Sequence, residues 1–129
     1  LVVATNMPAA FHAVQDIAAK DSAAAIQAEH EVVGATHGEI GAYLMGLWGF
    51  SEEIIEAIAL HHTPSRSGAS GFSPLTAVHA ANALIPQRAP LAAVPATIDI
   101  EYLQRIGKDE RVPFWKDICR ETAEKEDLP

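Results

Sequence analysis

Two neighbouring stretches decide the fold of this chain: residues 36–50 (THGEIGAYLMGLWGF) and residues 57–64 (AIALHHTP). Thr36 and Glu39 fit a capping box, in which each side chain satisfies a backbone donor left free at a helix start. Apolar residues then recur at helical spacing, and Gly49 follows them at a position where glycine commonly ends a helix. The sequence therefore predicts a capped helix here, followed by a second helix that carries a histidine doublet near its end.

The apolar stripe of the first of these helices comprises Ile40, Tyr43, Leu44 and Leu47, and we expect it to face the core. Trp48, like Trp115 near the end of the chain, is interpreted as a core anchor, although an aromatic ring can also serve as a stacking platform. Three glycines in the same helix each cost about 1 kcal/mol relative to alanine. Close approach of a neighbouring helix is the expected compensation.

Helical spacing extends over most of the chain. Asp21 or Ser22 is a candidate cap for one of these helices, and Ser51 for another. The pattern predicts helices near residues 6–20, 21–34, 36–49, 51–62, 73–85 and 99–106, and a last helix from about 113 whose charged end, 121–129, is expected to fray. Three prolines between 86 and 97 favour an extended crossover. With no repeat and no convincing strand, the predicted fold is all-α, a compact orthogonal helical bundle.

Composition limits the class of protein. The 129 residues are 49% hydrophobic, which suits one globular domain and argues against intrinsic disorder. No apolar run reaches the roughly 18 residues that a membrane-spanning helix needs. Cys119 is the single cysteine, so an internal disulfide is excluded, and this favours a reducing, cytoplasmic location.

Charge is distributed unevenly along the chain. The formal net charge is −8, and residues 1–65 carry eight acidic side chains but only one basic one, Lys20. Binding to nucleic acid or to an anionic membrane depends on clustered lysine and arginine, so neither is expected as a partner. The chain also begins at Leu1 without an initiator methionine or a leader motif, which favours its being a piece of a longer polypeptide.

Histidines from three predicted helices are the candidates for chemistry. His37 shares a helix face with Gly41, His61 lies on the apolar face of the following helix beside His62, and His79 shares a face with Asn82. Neutral imidazoles that enter one interior bind divalent metals such as Zn, Fe or Ni. The alternative is structural: a buried histidine satisfies a hydrogen bond, and a histidine at a helix C-terminus suits the helix dipole. Spacing alone leaves both interpretations open.

The residues resemble a known family. The run 29–64, above all THGEIGAYLMGLWGF and AIALHHTP, is similar to the HDOD domain, an HD-related output domain of bacterial signalling proteins. Residues 78–84 (VHAANAL) look like the next helix of that family, and residues 98–107 resemble the extension that follows such domains in response regulators. The resemblance implies an HD-like all-α fold, with residues 1–88 as the C-terminal part of the domain and 89–129 as crossover and extension.

The same comparison bears on catalysis. Catalytic HD and HD-GYP phosphohydrolases are similar in this region, and His37, His61 and His62 match histidines of their metal sites. The His-Asp doublet of those enzymes would fall before Leu1, Asn82 stands where they have an aspartate, and no GYP motif follows His62. Losing a carboxylate removes charge that anchors the metals and helps to ionise the attacking water. No catalytic residue and no cofactor-binding residue is therefore expected.

Three functional hypotheses follow from these observations. The first is a non-catalytic output or interaction module of a two-component signalling protein, with no cofactor, partnered by a receiver or sensor domain or by other signalling proteins. The second is a metal-dependent phosphohydrolase of the HD or HD-GYP type, a cyclic-dinucleotide phosphodiesterase that binds Fe, Mn, Zn or Ni at His37, His61 and His62. The third is a purely structural helical domain. A homodimer is compatible with each.

Overall fold

The computed structural model describes residues 2–21, 24–85 and 97–126, and within these ranges the fold is all-α, as predicted, without a strand. The described helices are α1 (Val2–Asn6), α2 (Pro8–Lys20), α3 (Ala25–Val33), α4 (His37–Leu47), α5 (Glu52–Leu60), α6 (Pro74–Leu84), α7 (Ile100–Arg105) and α8 (Val112–Glu126). Short 3-10 turns lie at Pro64–Arg66 and Asp109–Arg111. The candidate cap Ser22 lies outside the described residues, and so does the predicted crossover at 86–97 except for its last residue.

The chain forms two compact units. Among the described residues, the first unit ends at Ile40, and the second begins at Gly41 and includes residues 97–126. In the first unit α2 packs against α1 and α3. The buried residues of this contact are mostly small, so the helix backbones can approach closely. They are Val14 and Ala18 of α2 and Ala25 and Ala28 of α3.

The second unit contains a larger core, to which α5, α6, α7 and α8 contribute. Leu75 of α6 and Tyr102 and Leu103 of α7 are at most 1% exposed. Trp115 packs against the same core and makes an edge contact with Phe72, with ring centroids 6.3 Å apart, so its predicted role as a core anchor is confirmed. The residues of this core are Ala57, Leu75, Tyr102, Leu103, Ile106 and Val112.

The capping predictions have mixed outcomes. The Thr36–Glu39 capping box is confirmed: the Thr36 N–H donates to Glu39 Oε2 over 2.8 Å, and the Glu39 N–H donates to Thr36 Oγ1 over 3.2 Å. Ser51 occupies the N-cap of α5 but makes no side-chain cap. Asp21 is not the N-cap of α3, because Ala24 occupies that position.

Helix boundaries also required corrections. A short helix, α1, precedes Pro8, where none was predicted. α8 extends to Glu126, and the predicted fraying of its charged end stays a prediction. The predicted stop at Gly49, which follows α4, is confirmed, and Gly34 and Gly107 follow α3 and α7 in the same way. Their φ values are 77°, 88° and 65°, in the left-handed region that favours glycine.

The prediction that Trp48 and the whole apolar stripe of α4 face the core is wrong for three residues. Tyr43, Leu47 and Trp48 are 68%, 64% and 66% exposed. Helical periodicity identifies residues that share a face, but it does not identify what that face packs against. Among the described helices, none has the length and apolar character needed to cross a membrane.

Candidate functional site

His37 is the first residue of α4 and is held by Glu29 of α3, within the first unit. The Glu29 carboxylate accepts the His37 backbone N–H over 2.9 Å and contacts the ring Nδ1 through both oxygens, at 2.9 and 2.8 Å. The side chains of His37 and Glu29 are 40% and 16% exposed. Because a carboxylate only accepts, Nδ1 carries the proton in this contact, and a metal ion would be ligated through Nε2. A carboxylate behind an imidazole is the arrangement that commonly orients metal-binding histidines.

His61 and His62 lie at the end of α5 in the second unit. The His61 Nδ1 lies 2.7 Å from the carbonyl oxygen of Ile58, which can only accept, so here too the proton is on Nδ1. The two rings are adjacent, with centroids 4.1 Å apart and planes inclined at 47°. Both side chains are half-buried. The structure therefore brings the predicted histidine doublet together as one pair of imidazoles and fixes the orientation of the first ring.

His79 of α6 has a structural role. It is 1% exposed, its Nδ1 lies 2.8 Å from the His61 carbonyl oxygen, and its Nε2 accepts the Asp99 N–H over 2.9 Å. Nδ1 therefore donates and Nε2 accepts, which defines a neutral ring with both nitrogens used inside the protein. His79 is thus not available as the third metal-binding histidine that the sequence pattern allowed.

The contacts of His79 connect the end of α5 to the start of α7. Asp99 is the N-cap of α7: its Oδ1 accepts the Tyr102 N–H over 2.9 Å, and its Oδ2 accepts the Ser65 hydroxyl. Burial raises the pKa of Asp99, but the hydrogen bonds from Ser65 and Tyr102 and the nearby positive charge of Arg105 outweigh it and lower that pKa below its ordinary 3.8. The carboxylate is therefore ionised at neutral pH.

Arg105, at the end of α7, contacts the same loop. Its guanidinium donates to the carbonyl oxygens of Ser65 and Ser67, at 3.0 and 2.8 Å. The Ser67 hydroxyl in turn donates to Glu56 of α5 over 2.8 Å. Sequence reasoning missed this group of contacts, since its partners lie 11 to 40 residues apart and no local pattern links them. It also missed Glu29, which lies eight residues before His37 on the preceding helix.

Asn82 lies on α6 one turn after His79 and is half-buried. An asparagine side chain is neutral, so it does not supply the negative charge that an aspartate would bring to a metal ion. The three residues predicted as metal ligands, His37, His61 and His62, are all imidazoles. This set fits Zn, Fe or Ni in its chemistry but carries less charge than a set that includes an aspartate.

Comparison with known proteins identifies the family of the first half of the chain. The family model of the HDOD domain matches residues 1–64, which end just after the His61-His62 pair. No curated protein and no solved structure matches the chain. The helices α6, α7 and α8 lie beyond the matched residues. Residues 1–64 of this chain belong to the HDOD domain family, a group of HD-related domains associated with signalling.

Proposed function

We propose that this chain is a non-catalytic output module of a bacterial two-component signalling protein, which acts by binding other protein domains. The observation that carries the proposal is an exposed apolar surface within the family-matched residues, and we call it the aromatic surface. It consists of Tyr43, Leu47, Trp48 and Phe50. Exposed groups of large apolar side chains mark protein-interaction sites on soluble domains, and tyrosine and tryptophan are the residues most enriched at energetically important contacts.

Two further features support a role without catalysis. Asn82 replaces the aspartate expected by resemblance to the hydrolases, and His79 uses both ring nitrogens in hydrogen bonds. The acidic character of residues 1–65 disfavours nucleic acid as the target of the module. Together these features favour a protein partner, such as a receiver or sensor domain.

The test is a hydrolysis assay of the purified protein with cyclic dinucleotides in the presence of Mn, Fe, Ni or Zn. We expect no turnover above that of the metal alone. Turnover that depends on added metal and is abolished by His61→Ala would contradict the proposal. His12→Ala is the control, since His12 is exposed and lies on α2.

The second candidate is a metal-dependent phosphohydrolase, and one observation favours it. The Nδ1 atoms of His37 and His61 are each engaged by an oxygen, from Glu29 and from the Ile58 carbonyl, as in histidines that bind metal through Nε2. Under this candidate His37, His61 and His62 would ligate the ion. Metal analysis of the protein as isolated from its own host distinguishes the candidates: stoichiometric Fe, Mn, Zn or Ni would favour the hydrolase, and a metal-free protein would favour the signalling module.

A further inference from the structure

The aromatic surface is built by the last turn of α4 and the turn that follows it. Tyr43 and Leu47 are one helical turn apart and share a face. Gly49 has φ of 77°, and the Phe50 N–H donates to the Met45 carbonyl over 3.0 Å. This six-residue hydrogen bond at a helix end turns the chain back onto the helix, so that Phe50 stays beside the last turn of α4. Four large apolar side chains, 49% to 68% exposed, thus belong to the C-terminal half of α4 and the turn that follows it.

The charged residues that neighbour this surface along the chain are acidic. Glu52 and Glu53 follow Phe50 directly, at the start of α5, and both are exposed. Residues 41–65 contain Glu56 as well, but neither lysine nor arginine. A partner that buries its apolar side chains here would therefore gain from lysine or arginine at the edge of the contact, and an acidic partner would be repelled.

The same charges disfavour two other occupants. An anionic membrane would meet Glu52 and Glu53 with charge of the same sign. A second copy of the chain, related by a twofold axis through this surface, would bring two sets of these glutamates together. What remains is a partner whose apolar residues are flanked by positive charge.

We propose that the aromatic surface binds an amphipathic helix of a partner protein whose apolar face is flanked by lysine or arginine. The inference rests on the proposed signalling function and specifies the chemistry of its partner. Trp48 and Tyr43 contribute the apolar contacts, and Glu52 and Glu53 select the basic flanks. A helix presents apolar residues at i, i+3, i+4 and i+7, which gives a stripe that can lie against a few exposed side chains.

The experiment titrates the protein with three 18-residue peptides and follows binding by calorimetry. The first peptide has leucine at helical spacing with lysine on the flanks, the second has glutamate in place of lysine, and the third has serine in place of leucine. We expect measurable binding only for the first, and weaker binding as salt is raised. Equal binding of the glutamate or the serine peptide overturns the proposal.

Matched variants separate this surface from general attraction between a basic peptide and an acidic protein. Trp48→Ala is expected to weaken binding about tenfold or more, as for a central contact residue. Phe114→Ala, at another exposed aromatic residue, is expected to leave it unchanged. If Phe114→Ala weakens peptide binding as much as Trp48→Ala does, the proposal is wrong.

The charge contribution has its own matched pair. The double variant Glu52→Gln/Glu53→Gln should weaken binding of the lysine peptide and reduce its salt dependence. The control, Glu110→Gln/Glu121→Gln, removes the same charge at exposed positions elsewhere and should have little effect. If the two double variants weaken binding equally, the peptide responds to net charge alone and the proposal is wrong.

Two further measurements test the competing occupants. Vesicles of phosphatidylcholine with phosphatidylglycerol should not bind the protein, and binding that depends on Trp48 would overturn the proposal in favour of a membrane. In the protein as the cell makes it, with Trp115→Phe, acrylamide should quench the fluorescence of Trp48. A shielded Trp48 would overturn the proposal, because another part of the same protein would then cover the surface. Metal-dependent hydrolysis would overturn the proposed function without affecting the peptide result, whereas failure of the peptide tests alone overturns only the docking inference.

Discussion

At the scale of single residues, His79 and Asp99 show how buried polar groups determine local structure. His79 is enclosed in the second unit, and each of its ring nitrogens contacts one backbone group. Asp99 caps α7 and accepts the Ser65 hydroxyl. The two His79 contacts and the Ser65–Asp99 hydrogen bond join segments 18 to 34 residues apart, so replacing either residue affects more than one element.

Replacing His79 by alanine should lower the free energy of unfolding by about 2–4 kcal/mol, because the His61 carbonyl and the Asp99 N–H lose their partner inside the protein. Urea unfolding followed by circular dichroism measures the change. His12→Ala, on the exposed face of α2, should change stability by less than about 0.5 kcal/mol. Equal stability of the two variants would show that the His79 contacts contribute nothing net.

Asp99→Ala should cost about 0.5–2 kcal/mol at neutral pH through loss of the α7 cap. Because the pKa of Asp99 is lower in the folded state than its ordinary 3.8, the charged group stabilises the fold at pH values above 3.8. That contribution is lost as the pH falls below 3.8 and through the folded-state pKa. Urea unfolding at several pH values should therefore show a constant difference from wild type down to about pH 4.5 and a shrinking one below pH 3.8. A difference that grows on acidification would contradict this.

At the scale of elements, the glycines of α4 differ in what lies opposite them. A Cβ at Gly41 would lie 2.8 Å from Ile58 Cγ2 of α5, whereas a Cβ at Gly46 would lie 3.8 Å from Ile55 Cδ1. The expected close approach of a neighbouring helix is therefore confirmed at Gly41, whereas at Gly46 an added Cβ would make only an ordinary van der Waals contact. Gly41, early in α4, lies opposite Ile58, late in α5. Gly46, late in α4, lies opposite Ile55, nearer the start of α5. The two helices therefore run antiparallel.

Gly41→Ala should destabilise the protein by about 1–3 kcal/mol, because the Ile58 methyl is attached at the branched Cβ, whose rotation is restricted in a helix. Gly46→Ala should instead stabilise it by about 0.5–1 kcal/mol through helix propensity. Thermal and urea unfolding of both variants check this contrast. Ile58→Leu, which lacks the Cγ2 methyl, should restore part of the stability lost in Gly41→Ala; no such rescue would argue against this contact as the cause.

At the scale of the whole molecule, the core of the second unit combines residues from distant parts of the chain. Ala57 and Leu75 pack with Tyr102, Leu103 and residues further along, and Arg105 binds the loop after α5. The predicted division of the chain at residue 88 stays a prediction. Within the second unit, however, α5 and α6 bury their apolar faces only together with α7 and α8.

A protein that ends at residue 85 should therefore lose cooperative unfolding, since it lacks fully buried Tyr102 and Leu103. A protein that ends at residue 121 retains the whole core and should unfold cooperatively. Calorimetry and the dispersion of amide proton shifts measure the outcome. Retained cooperativity in the shorter protein would show that α7 and α8 are dispensable for the core.

Local patterns were sufficient to predict much of the fold. The Thr36–Glu39 capping box, the glycine stops and the all-α class depend on neighbours within one or two helical turns, and the resemblance to HDOD rests on a continuous run of residues. The candidate site was predicted in part for the same reason: the His61-His62 pair is adjacent in sequence.

The sequence by itself thus determined most of the helices, the Thr36–Glu39 capping box and the family of residues 1–64. Only the tertiary structure decided that Trp48 is exposed while Trp115 packs against the core. It also decided that His79 forms hydrogen bonds with backbone groups of His61 and Asp99. Periodicity defines a face of a helix, but burial depends on which other elements cover that face. Hydrogen bonds between residues separated by 18 to 40 positions depend on the folded chain and leave no local pattern that would reveal them.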